Sequence, residues 1–313
     1  MSKNNMAYRI LKNLNNPIAY SYVVNQTGLL NFLPDEAYIK IVYRVLMGHP
    51  LNLDNPKTFC EKINWLKLYD RKPEYTIMVD KCLVKEYVEK RIGKQYIVPT
   101  LGSWASFAEI DFNLLPEKFV LKCNHDSGGL IICKGKNKLD MKYARKKLSK
   151  CLKRNFYYVG REWPYKEVKP MIFAEQLLEN KDGSELRDYK FYCFNGEPRF
   201  LYVSESLTDH SKARVSYLNL DWTFSEFYRK DYKQYETIPE KPETFNDMIR
   251  FARVLSEGIP FLRVDFYESD KKLFFGELTF SPGSGLTTFY PEKWEKYWGE
   301  QIDTEVLKNY REI

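Results

Sequence analysis

Two apolar runs near the end of the sequence each contain acidic residues. Asp265 lies in the run FLRVDFY, and Glu277 lies with Thr279 in the run LFFGELTF. If both runs are neighbouring antiparallel strands, period-two alternation places Arg263 and Asp265 on one face, with Glu277 and Thr279 together on one face of the next strand. Converging carboxylate oxygens are the ligands that Mg²⁺ prefers beside phosphate groups. Unpaired carboxylates in apolar strands are costly, which favours a metal site over an ordinary exposed hairpin.

A lysine in a third apolar run is followed by a small, flexible loop. The runs FVLKC and LIIC are predicted as the strands of a hairpin, with Lys122 in the first strand and Ser127, Gly128 and Gly129 in the connection. A lysine ammonium beside free backbone N–H groups can bind a polyphosphate. A lysine that guards a sheet edge has the same local sequence, so both interpretations stay open at this point.

A further carboxylate, Glu175, lies in the apolar run IFAEQLL, which leads into the second half of the chain. A strand that crosses between two subdomains can hold a flat adenine ring between apolar side chains while its backbone groups bind the edge of the ring. A plain core strand would show the same pattern. The run therefore indicates either an adenine site or ordinary core.

Periodicity predicts a mixed α+β fold built from packed subdomains. Helices are predicted over residues 36–47, 75–91 and 244–257. Two more are predicted, one that begins at a capping box of Thr58 and Glu61 and one that begins after Asp140. Strands are predicted over 96–99, 119–123, 130–133, 171–178, 189–194, 199–203, 215–220, 261–267 and 272–280, with a hairpin turn at Asn195 and Gly196. We expect a helical N-terminal region over 1–72, a small subdomain over 73–175 and a large subdomain over 176–313.

Composition limits the class of protein and its partners. The 313 residues include 49 Lys and Arg against 42 Asp and Glu, and the formal net charge of +7 favours anionic partners. The basic segment 142–154 fits the solvated face of an amphipathic helix better than a nucleic-acid footprint, so we expect no nucleic-acid partner. No apolar run reaches the ~20 residues of a membrane span, so any membrane contact is expected to be peripheral. Six scattered cysteines without a C-x-x-C pair, and no signal peptide, predict a reducing, cytoplasmic location.

The motifs, in their order along the chain, resemble the ATP-grasp superfamily, to which the D-alanine:D-alanine ligases belong. The blocks are Asp80-Lys81, FVLK followed by Ser-Gly-Gly, Ala174-Glu175, RVD at 263–265 and ELTFSPG at 277–283. Five longer blocks more closely resemble the TupA-like ATP-grasp family: WLKLYDR (65–71), VLKCNHDSGG (120–129), REWPYK (161–166), DYKFYCFNGEP (188–198) and GELTFSPGSG (276–285). That family is associated with bacterial teichuronopeptide, capsule and other surface-polysaccharide gene clusters.

The resemblance implies an ATP-grasp fold in which two α+β subdomains clamp ATP. It implies the following nucleotide contacts: Lys81 and Lys122 on the phosphates, Ser127, Gly128 and Gly129 as the closing loop, Glu175 at the adenine hinge, Lys190 as a further phosphate contact, and Asp188 at the ribose or the metal shell. It also implies that Asp265, Glu277 and Thr279 hold Mg²⁺. Arg263 and Lys122 are the residues expected to act in catalysis, because they neutralise charge that develops during the reaction.

Two features depart from the wider superfamily. Many ATP-grasp enzymes have Asn where this chain has Thr279, and a hydroxyl is a weaker Mg²⁺ ligand than an amide oxygen, so the number of metal ions stays open. Many relatives also begin with a Rossmann-like domain, whereas this sequence predicts only helices there. Because substrates are often recognised partly by that domain, the resemblance does not identify the substrate.

By resemblance, a substrate carboxylate attacks ATP to give an acyl phosphate, which an amine then captures. The leading hypothesis is a ligase that joins an amino acid or amino alcohol to a uronic acid of a surface glycan, so the partners would be small-molecule or glycan carboxylates and amines. The alternatives are a kinase for a sugar hydroxyl, a nucleotide-sugar glycosyltransferase and a non-catalytic binding module. His125 is either an acid or base near the loop, or a structural or substrate-binding residue. The sequence does not predict an oligomeric state.

Overall fold

A computed structural model of the chain describes residues 28, 30–205 and 213–304. Within these ranges the helices are α1 (Asp35–Met47), α2 (Phe59–Tyr69), α3 (Glu74–Val79), α4 (Val84–Ile92), α5 (Met141–Leu152), α6 (Tyr157–Gly160), α7 (Phe245–Ser256) and α8 (Lys293–Glu300). The strands are β1 (Thr100–Trp104), β2 (Phe119–Cys123), β3 (Leu130–Cys133), β4 (Ile172–Gln176), β5 (Asp188–Phe194), β6 (Glu197–Glu205), β7 (Arg214–Asn219), β8 (Phe261–Ser269) and β9 (Lys272–Thr279).

The strands form two antiparallel sheets. The smaller sheet has the order β1-β4-β2-β3, and the larger has the order β7-β6-β5-β8-β9. The turn between β5 and β6 places Asn195 and Gly196 at φ values of 50° and 82°, as a tight hairpin requires. Two antiparallel sheets with surrounding helices confirm the predicted α+β class.

Helix boundaries follow the predicted capping signals. The Thr58 side chain accepts a hydrogen bond from the Glu61 backbone N–H, and the Glu61 carboxylate accepts one from the Thr58 N–H at 3.0 Å. This reciprocal capping box begins α2. The Asp140 carboxylate likewise accepts from the Tyr143 N–H at 2.8 Å at the start of α5. None of the helices in the described residues is both long and apolar enough to cross a membrane.

The prediction of one helix over residues 75–91 is wrong, because the chain breaks into α3 and α4. The Asp80 carboxylate accepts hydrogen bonds from the backbone N–H groups of Cys82 at 2.8 Å and Leu83 at 3.2 Å, and these compete with helical bonding. The Asn124 side chain donates to the other Asp80 oxygen at 2.8 Å. The break places Lys81 in a turn beside the hairpin loop.

The predicted strand over residues 96–99 is also wrong. Residues 94–96 form a short 3₁₀ helix after Gly93, whose φ is 108°, and β1 begins only at Thr100. Pro99 cannot donate a backbone hydrogen bond, and the Val98 carbonyl accepts from the Lys85 ammonium at 2.9 Å. The Lys85 side chain thus occupies the Val98 carbonyl, and the segment keeps one backbone hydrogen bond to the sheet, from the Gln176 N–H to the Pro99 carbonyl at 3.1 Å.

The larger sheet is buried on both faces. On one face, Phe59 and Ile63 of α2 share a hydrophobic cluster with Tyr192, Phe200 and Tyr217 of the sheet. Full burial of each such apolar side chain stabilises the fold by about 1.5–3 kcal/mol. The part of the predicted N-terminal region that is described is thus integrated with the sheet, whereas residues 1–27 and 29 lie outside the described residues.

The other face of the larger sheet packs against α7 and, through Met78 and Val88, against α3 and α4. The smaller sheet has its own cluster, in which Leu121 contacts Ala144 and Leu148 of α5. The two sheets therefore have separate cores, as expected for two subdomains. The boundaries at residues 72/73 and 175/176 stay predictions.

Candidate active site

The pairing of β8 with β9 brings the predicted metal ligands together. Asp265 lies opposite Glu277, and Arg263 lies opposite Thr279. The Asp265 carboxylate is fully buried and accepts hydrogen bonds from Arg263 Nε and Nη2, both at 2.7 Å. Arg263 Nη2 also donates to Glu277 Oε1 at 3.0 Å, and the Thr279 hydroxyl lies 3.5 Å from the same oxygen. The two runs are neighbouring antiparallel strands, as predicted, and their two carboxylates converge.

The neighbouring strand β5 adds a second cation to this cluster. Lys190 pairs in register with Asp265, and its ammonium lies 2.9 Å from Asp265 Oδ2 and 3.0 Å from Asp188 Oδ1. Three carboxylates, those of Asp188, Asp265 and Glu277, thus surround the two cationic groups of Lys190 and Arg263.

The electrostatics of Glu277 link the strand pair to the two predicted phosphate-binding lysines. Burial disfavours its charged form, but the positive charges of Lys81, Arg263, Lys190 and Lys122 outweigh burial and lower the pKa of Glu277 to about 2. By contrast, burial raises the pKa of Asp265 above its ordinary value, although Arg263 and Lys190 oppose the shift. Glu277 is therefore anionic and faces cations from both sheets.

The loop between β2 and β3 is held in a tight, open-faced conformation. Asp126 Oδ1 accepts a hydrogen bond from the Gly129 N–H at 3.1 Å, and the Lys81 ammonium donates to the Asp126 carbonyl at 2.8 Å. Gly128 has a φ of 100°, a conformation that favours glycine. Ser127 and Gly128 are exposed at the tip. Their backbone N–H groups take part in no backbone pairing among the described residues.

One cleft collects most of the predicted nucleotide contacts. Seven of the predicted residues line it: Lys81, Lys122, Ser127, Gly128, Gly129, Glu175 and Glu277. Its apolar part is formed by Ile97, Val98, Leu130, Phe173, Tyr267 and Phe275. The other five predicted residues do not line the cleft: Arg263, Asp265, Lys190, Asp188 and Thr279. Of these, Arg263 and Thr279 contact Glu277, which does line it, at 3.0 and 3.5 Å. The cleft lies between the two sheets.

Glu175 binds two lysines inside this cleft. Its oxygens lie 2.6 Å from the ammonium groups of Lys122 and Lys85. Burial would raise its pKa, but the two lysines outweigh burial and hold the pKa of Glu175 below its usual value. Lys85 was missed in the sequence analysis, although its four-residue spacing from Lys81 places both on one face of the predicted helix.

His125 lies under the loop rather than in the cleft. Its ring nitrogens lie 3.2 Å from the Asn124 side-chain oxygen and 3.0 Å from the Arg154 carbonyl. Burial lowers the pKa of His125 below its ordinary value. The ring ties the loop to the end of α5, which is a structural position.

Comparison with known proteins gives a family and partial structural likenesses. The family model described as TupA-like ATP-grasp matches residues 61–303. No curated protein sequence matches the chain. The D-alanine–D-alanine ligase of Bacillus anthracis complexed with ATP is 11% identical, with a TM-score of 0.43, over 89% of this chain and 77% of that chain. The Helicobacter pylori D-alanine–D-alanine ligase is 13% identical, with a TM-score of 0.45, over 80% of this chain and 70% of that chain.

A third solved structure, the ATP-grasp ligase PsnB complexed with a minimal precursor, Mg and ADP, is 12% identical, with a TM-score of 0.39, over 71% of this chain and 57% of that chain. The family match rather than these distant likenesses decides the assignment. It extends from the capping box of α2 to the residues after α8, which is well over half of the sequence. This chain therefore belongs to the TupA-like ATP-grasp family and has the predicted ATP-grasp fold.

Proposed function

We propose that the chain uses ATP and Mg²⁺ to activate a uronic acid of a bacterial surface polysaccharide and joins it to an amino acid or amino alcohol. The observation that carries this proposal is the single cleft in which Lys81, Lys122 and the glycine loop face Glu277. Cationic and acidic groups that face each other across a cleft suit a triphosphate that is bound together with a metal ion.

The cleft has separate parts for the two ends of a nucleotide. Ile97, Val98 and Phe173 offer apolar surface for an adenine ring next to the strand that carries Glu175. The loop N–H groups and Lys81 suit the phosphates. Two lysines share the single carboxylate of Glu175, so this group retains one positive charge for an anionic ligand.

The strand pair fits a magnesium ion in the chemistry of its donors. Asp265 and Glu277 supply carboxylate oxygens and Thr279 a hydroxyl, which are the kinds of oxygen ligand that Mg²⁺ accepts. These three residues would hold the ion, which would polarise phosphate oxygens as a Lewis acid. The Arg263 and Lys190 groups that now bind Asp265 would then share its oxygens or turn towards phosphate.

The chain's own residues neutralise and position charge during the reaction. A carboxylate oxygen forms a bond to the γ-phosphorus as the bond to the ADP oxygen breaks; the amine nitrogen then attacks the acyl carbon, and phosphate leaves. Arg263 is held by two carboxylates, Asp265 and Glu277, and its guanidinium would stabilise the negative charge that develops during the reaction. Lys122 would neutralise the transferred phosphoryl group, and closure of the glycine loop would exclude water.

The identity of the substrate rests on weaker support than the chemistry. The TupA-like resemblance carries an association with surface-polysaccharide gene clusters, and the net charge of +7 suits a glycan that bears carboxylates. A uronic acid supplies the carboxylate that the reaction requires. The protein would act in the cytoplasm, with peripheral membrane contact at most.

The test is product analysis with the full-length protein, Mg²⁺, ATP and a panel of uronic acids and amines. We expect release of ADP and phosphate that depends on both substrates, and hydroxamate formation when hydroxylamine replaces the amine. A phosphorylated sugar without hydroxamate would identify a kinase instead. ATP binding without phosphate release above background for any pair would refute the proposed reaction.

A further inference from the structure

The strand that carries Lys122 also carries a cysteine, which lies beneath the glycine loop (residues 127–129). Cys123 is 1% exposed, and its sulfur lies 3.9 Å from the Leu148 carbonyl of α5. Cys151 is three residues further along α5 and therefore projects from the same face of that helix. The two thiols thus approach each other from β2 and from α5.

A carboxylate completes a group of three potential metal ligands. The sulfur atoms of Cys123 and Cys151 and a carboxylate oxygen of Asp126 all lie within 4.8 Å of one another. In a tetrahedral zinc site, with Zn–S distances of about 2.3 Å and Zn–O distances of about 2.0–2.2 Å, neighbouring donor atoms lie about 3.6–3.8 Å apart. The three donors therefore need to approach one another by only about 1 Å to bind such an ion.

The frame around these donors is already fixed. Asp126 Oδ1 accepts a hydrogen bond from the Gly129 N–H at 3.1 Å, and His125 Nε2 lies 3.2 Å from the Cys151 carbonyl. A Cβ atom on Gly129 would lie 2.5 Å from Asp126 Oδ1 and 3.1 Å from Cys123 Sγ, so the loop backbone packs directly on both donors. A site that is positioned in advance binds its ligand at a lower entropic cost.

The candidate nucleotide cleft gives a route to this group. Cys123, Asp126 and Gly129 all line the cleft. The third donor residue, Cys151, is half-buried. A cation in the cleft can therefore reach the donors beneath the loop without crossing the hydrophobic core of the smaller sheet.

The charges at the site suit a divalent cation with a preference for sulfur. A cation of charge +2 that displaces two thiol protons leaves the buried charge unchanged. Asp126 keeps its negative charge, because each carboxylate oxygen has a second lone pair for a ligand, and the Arg154 guanidinium lies 3.4 Å from Asp126 Oδ2. Arg154 Nε is buried and forms no hydrogen bond within the described residues, so it can donate to a new anionic neighbour. Thiolate ligands select Zn²⁺ over a hard ion such as Mg²⁺.

We propose that Cys123, Cys151 and Asp126 bind a divalent thiophilic cation, and that Zn²⁺ fits them best. The two thiols release their protons to water, two metal–sulfur bonds form, and an Asp126 oxygen supplies a third bond. The cation ties β2, the loop and α5 together, so its role is to anchor the loop. This inference goes beyond the proposed function and does not depend on it, because anchoring requires neither substrate nor turnover.

The first test uses Co²⁺ as the probe, because a tetrahedral Co²⁺–thiolate site absorbs near-ultraviolet light by charge transfer from sulfur. Reduced, full-length protein is titrated as wild type, Cys151→Ser and the control Cys82→Ser, which removes another half-buried cysteine. We expect wild type to bind one Co²⁺, which Zn²⁺ displaces and millimolar Mg²⁺ does not. Cys151→Ser should halve the charge-transfer band and weaken binding by about tenfold or more, whereas Cys82→Ser should change neither.

Two outcomes of this titration would overturn the proposal. One is the absence of a charge-transfer band in wild type, and the other is a band that Cys82→Ser lowers as much as Cys151→Ser. Binding should also release about two protons per cation, so that the affinity for Zn²⁺ rises with pH. Binding without proton release would show that the thiols are not the ligands.

A second measurement needs no variant and decides the matter if Cys151→Ser does not fold. Zn²⁺ should protect Cys151 of wild type from alkylation by N-ethylmaleimide and leave the alkylation of Cys82 unchanged, as read by mass spectrometry of the peptides. Equal alkylation of Cys151 with and without Zn²⁺ would overturn the proposal. None of these measurements uses ATP, so their failure leaves the proposed function standing, and the failure of that function leaves this site standing.

Discussion

Replacing Asp265 with Asn removes the shared counter-charge at the centre of the candidate active site. The carboxylate is fully buried, and its three hydrogen bonds come from Arg263 and Lys190 at 2.7–2.9 Å. Asn has nearly the same shape, but its amide nitrogen would face a donor where the carboxylate accepts. Both cations would then be buried with less charge to balance them.

The size of the effect follows from the partners that remain. Removing one partner of a buried ion pair costs about 3–5 kcal/mol. Arg263 keeps Glu277 at 3.0 Å and Lys190 keeps Asp188 at 3.0 Å, so we expect the lower end, about 3 kcal/mol in the free energy of unfolding. At roughly 2 °C per kcal/mol for a large domain, Tm falls by about 6 °C. The Mg²⁺ concentration for half-maximal turnover should rise by at least about tenfold, because even the loss of a residue that only hydrogen-bonds a metal ligand can lower metal affinity by that factor.

Thermal unfolding and Mg²⁺ titration of turnover measure the two effects. The matched control is Asp247→Asn, which also breaks a carboxylate–arginine pair, at 2.6 Å, but in an exposed position on α7. We expect that control to change stability by less than about 1 kcal/mol and to leave the Mg²⁺ requirement unchanged. If Asp265→Asn were as stable as the control and needed no more Mg²⁺, Asp265 would be neither a central counter-charge nor a metal ligand.

Three further substitutions test the nucleotide and metal contacts. Gly128→Ala and Gly183→Ala impose the same kind of left-handed strain, about 1–2 kcal/mol, with open space around the added methyl group. Only Gly128→Ala should weaken ATP binding in calorimetry. Equal ATP affinities of the two variants would show that the loop does not bind ATP. Lys122→Met should raise the Kd for ATP by about tenfold or more. The control Lys118→Met, which breaks an exposed ion pair, should leave the Kd unchanged. An unchanged Kd in Lys122→Met would show that Lys122 does not bind ATP. Thr279→Asn should lower the Mg²⁺ concentration needed for turnover, because an amide oxygen is a better ligand than a hydroxyl, and a higher requirement would show that residue 279 does not contact the metal.

The sequence predicted those parts of the fold and the site in which the interacting residues are close together along the chain. Period-two alternation was enough to predict that Arg263 and Asp265 share one face and that Glu277 and Thr279 share one face of the next strand. The exact pairing of Asp265 with Glu277 also depends on a register shift between Asp265 and Phe266, which alternation does not predict. The capping box at Thr58 and Glu61 likewise involves residues only three apart. These elements could be predicted because their partners are near in sequence.

Contacts between distant segments could not be predicted in this way. The break after Asp80 is fixed partly by Asn124, which lies 44 residues away, so an apolar helical pattern concealed it. The pairing of Glu175 with Lys85 depends on how α4 packs against the smaller sheet. Burial and long-range pairing, rather than residue type, identify these positions.

The account centres on one triphosphate held between Lys81 and Lys122 on one side and the Asp265–Glu277 pair on the other. The most direct measurement is a crystal structure of the protein with a non-hydrolysable ATP analogue and Mg²⁺. We predict phosphate oxygens at both lysine ammonium groups, and a metal ion that bridges the phosphates to Asp265 and Glu277. A nucleotide bound outside this cleft, or a metal ion that touches neither carboxylate, would contradict the account.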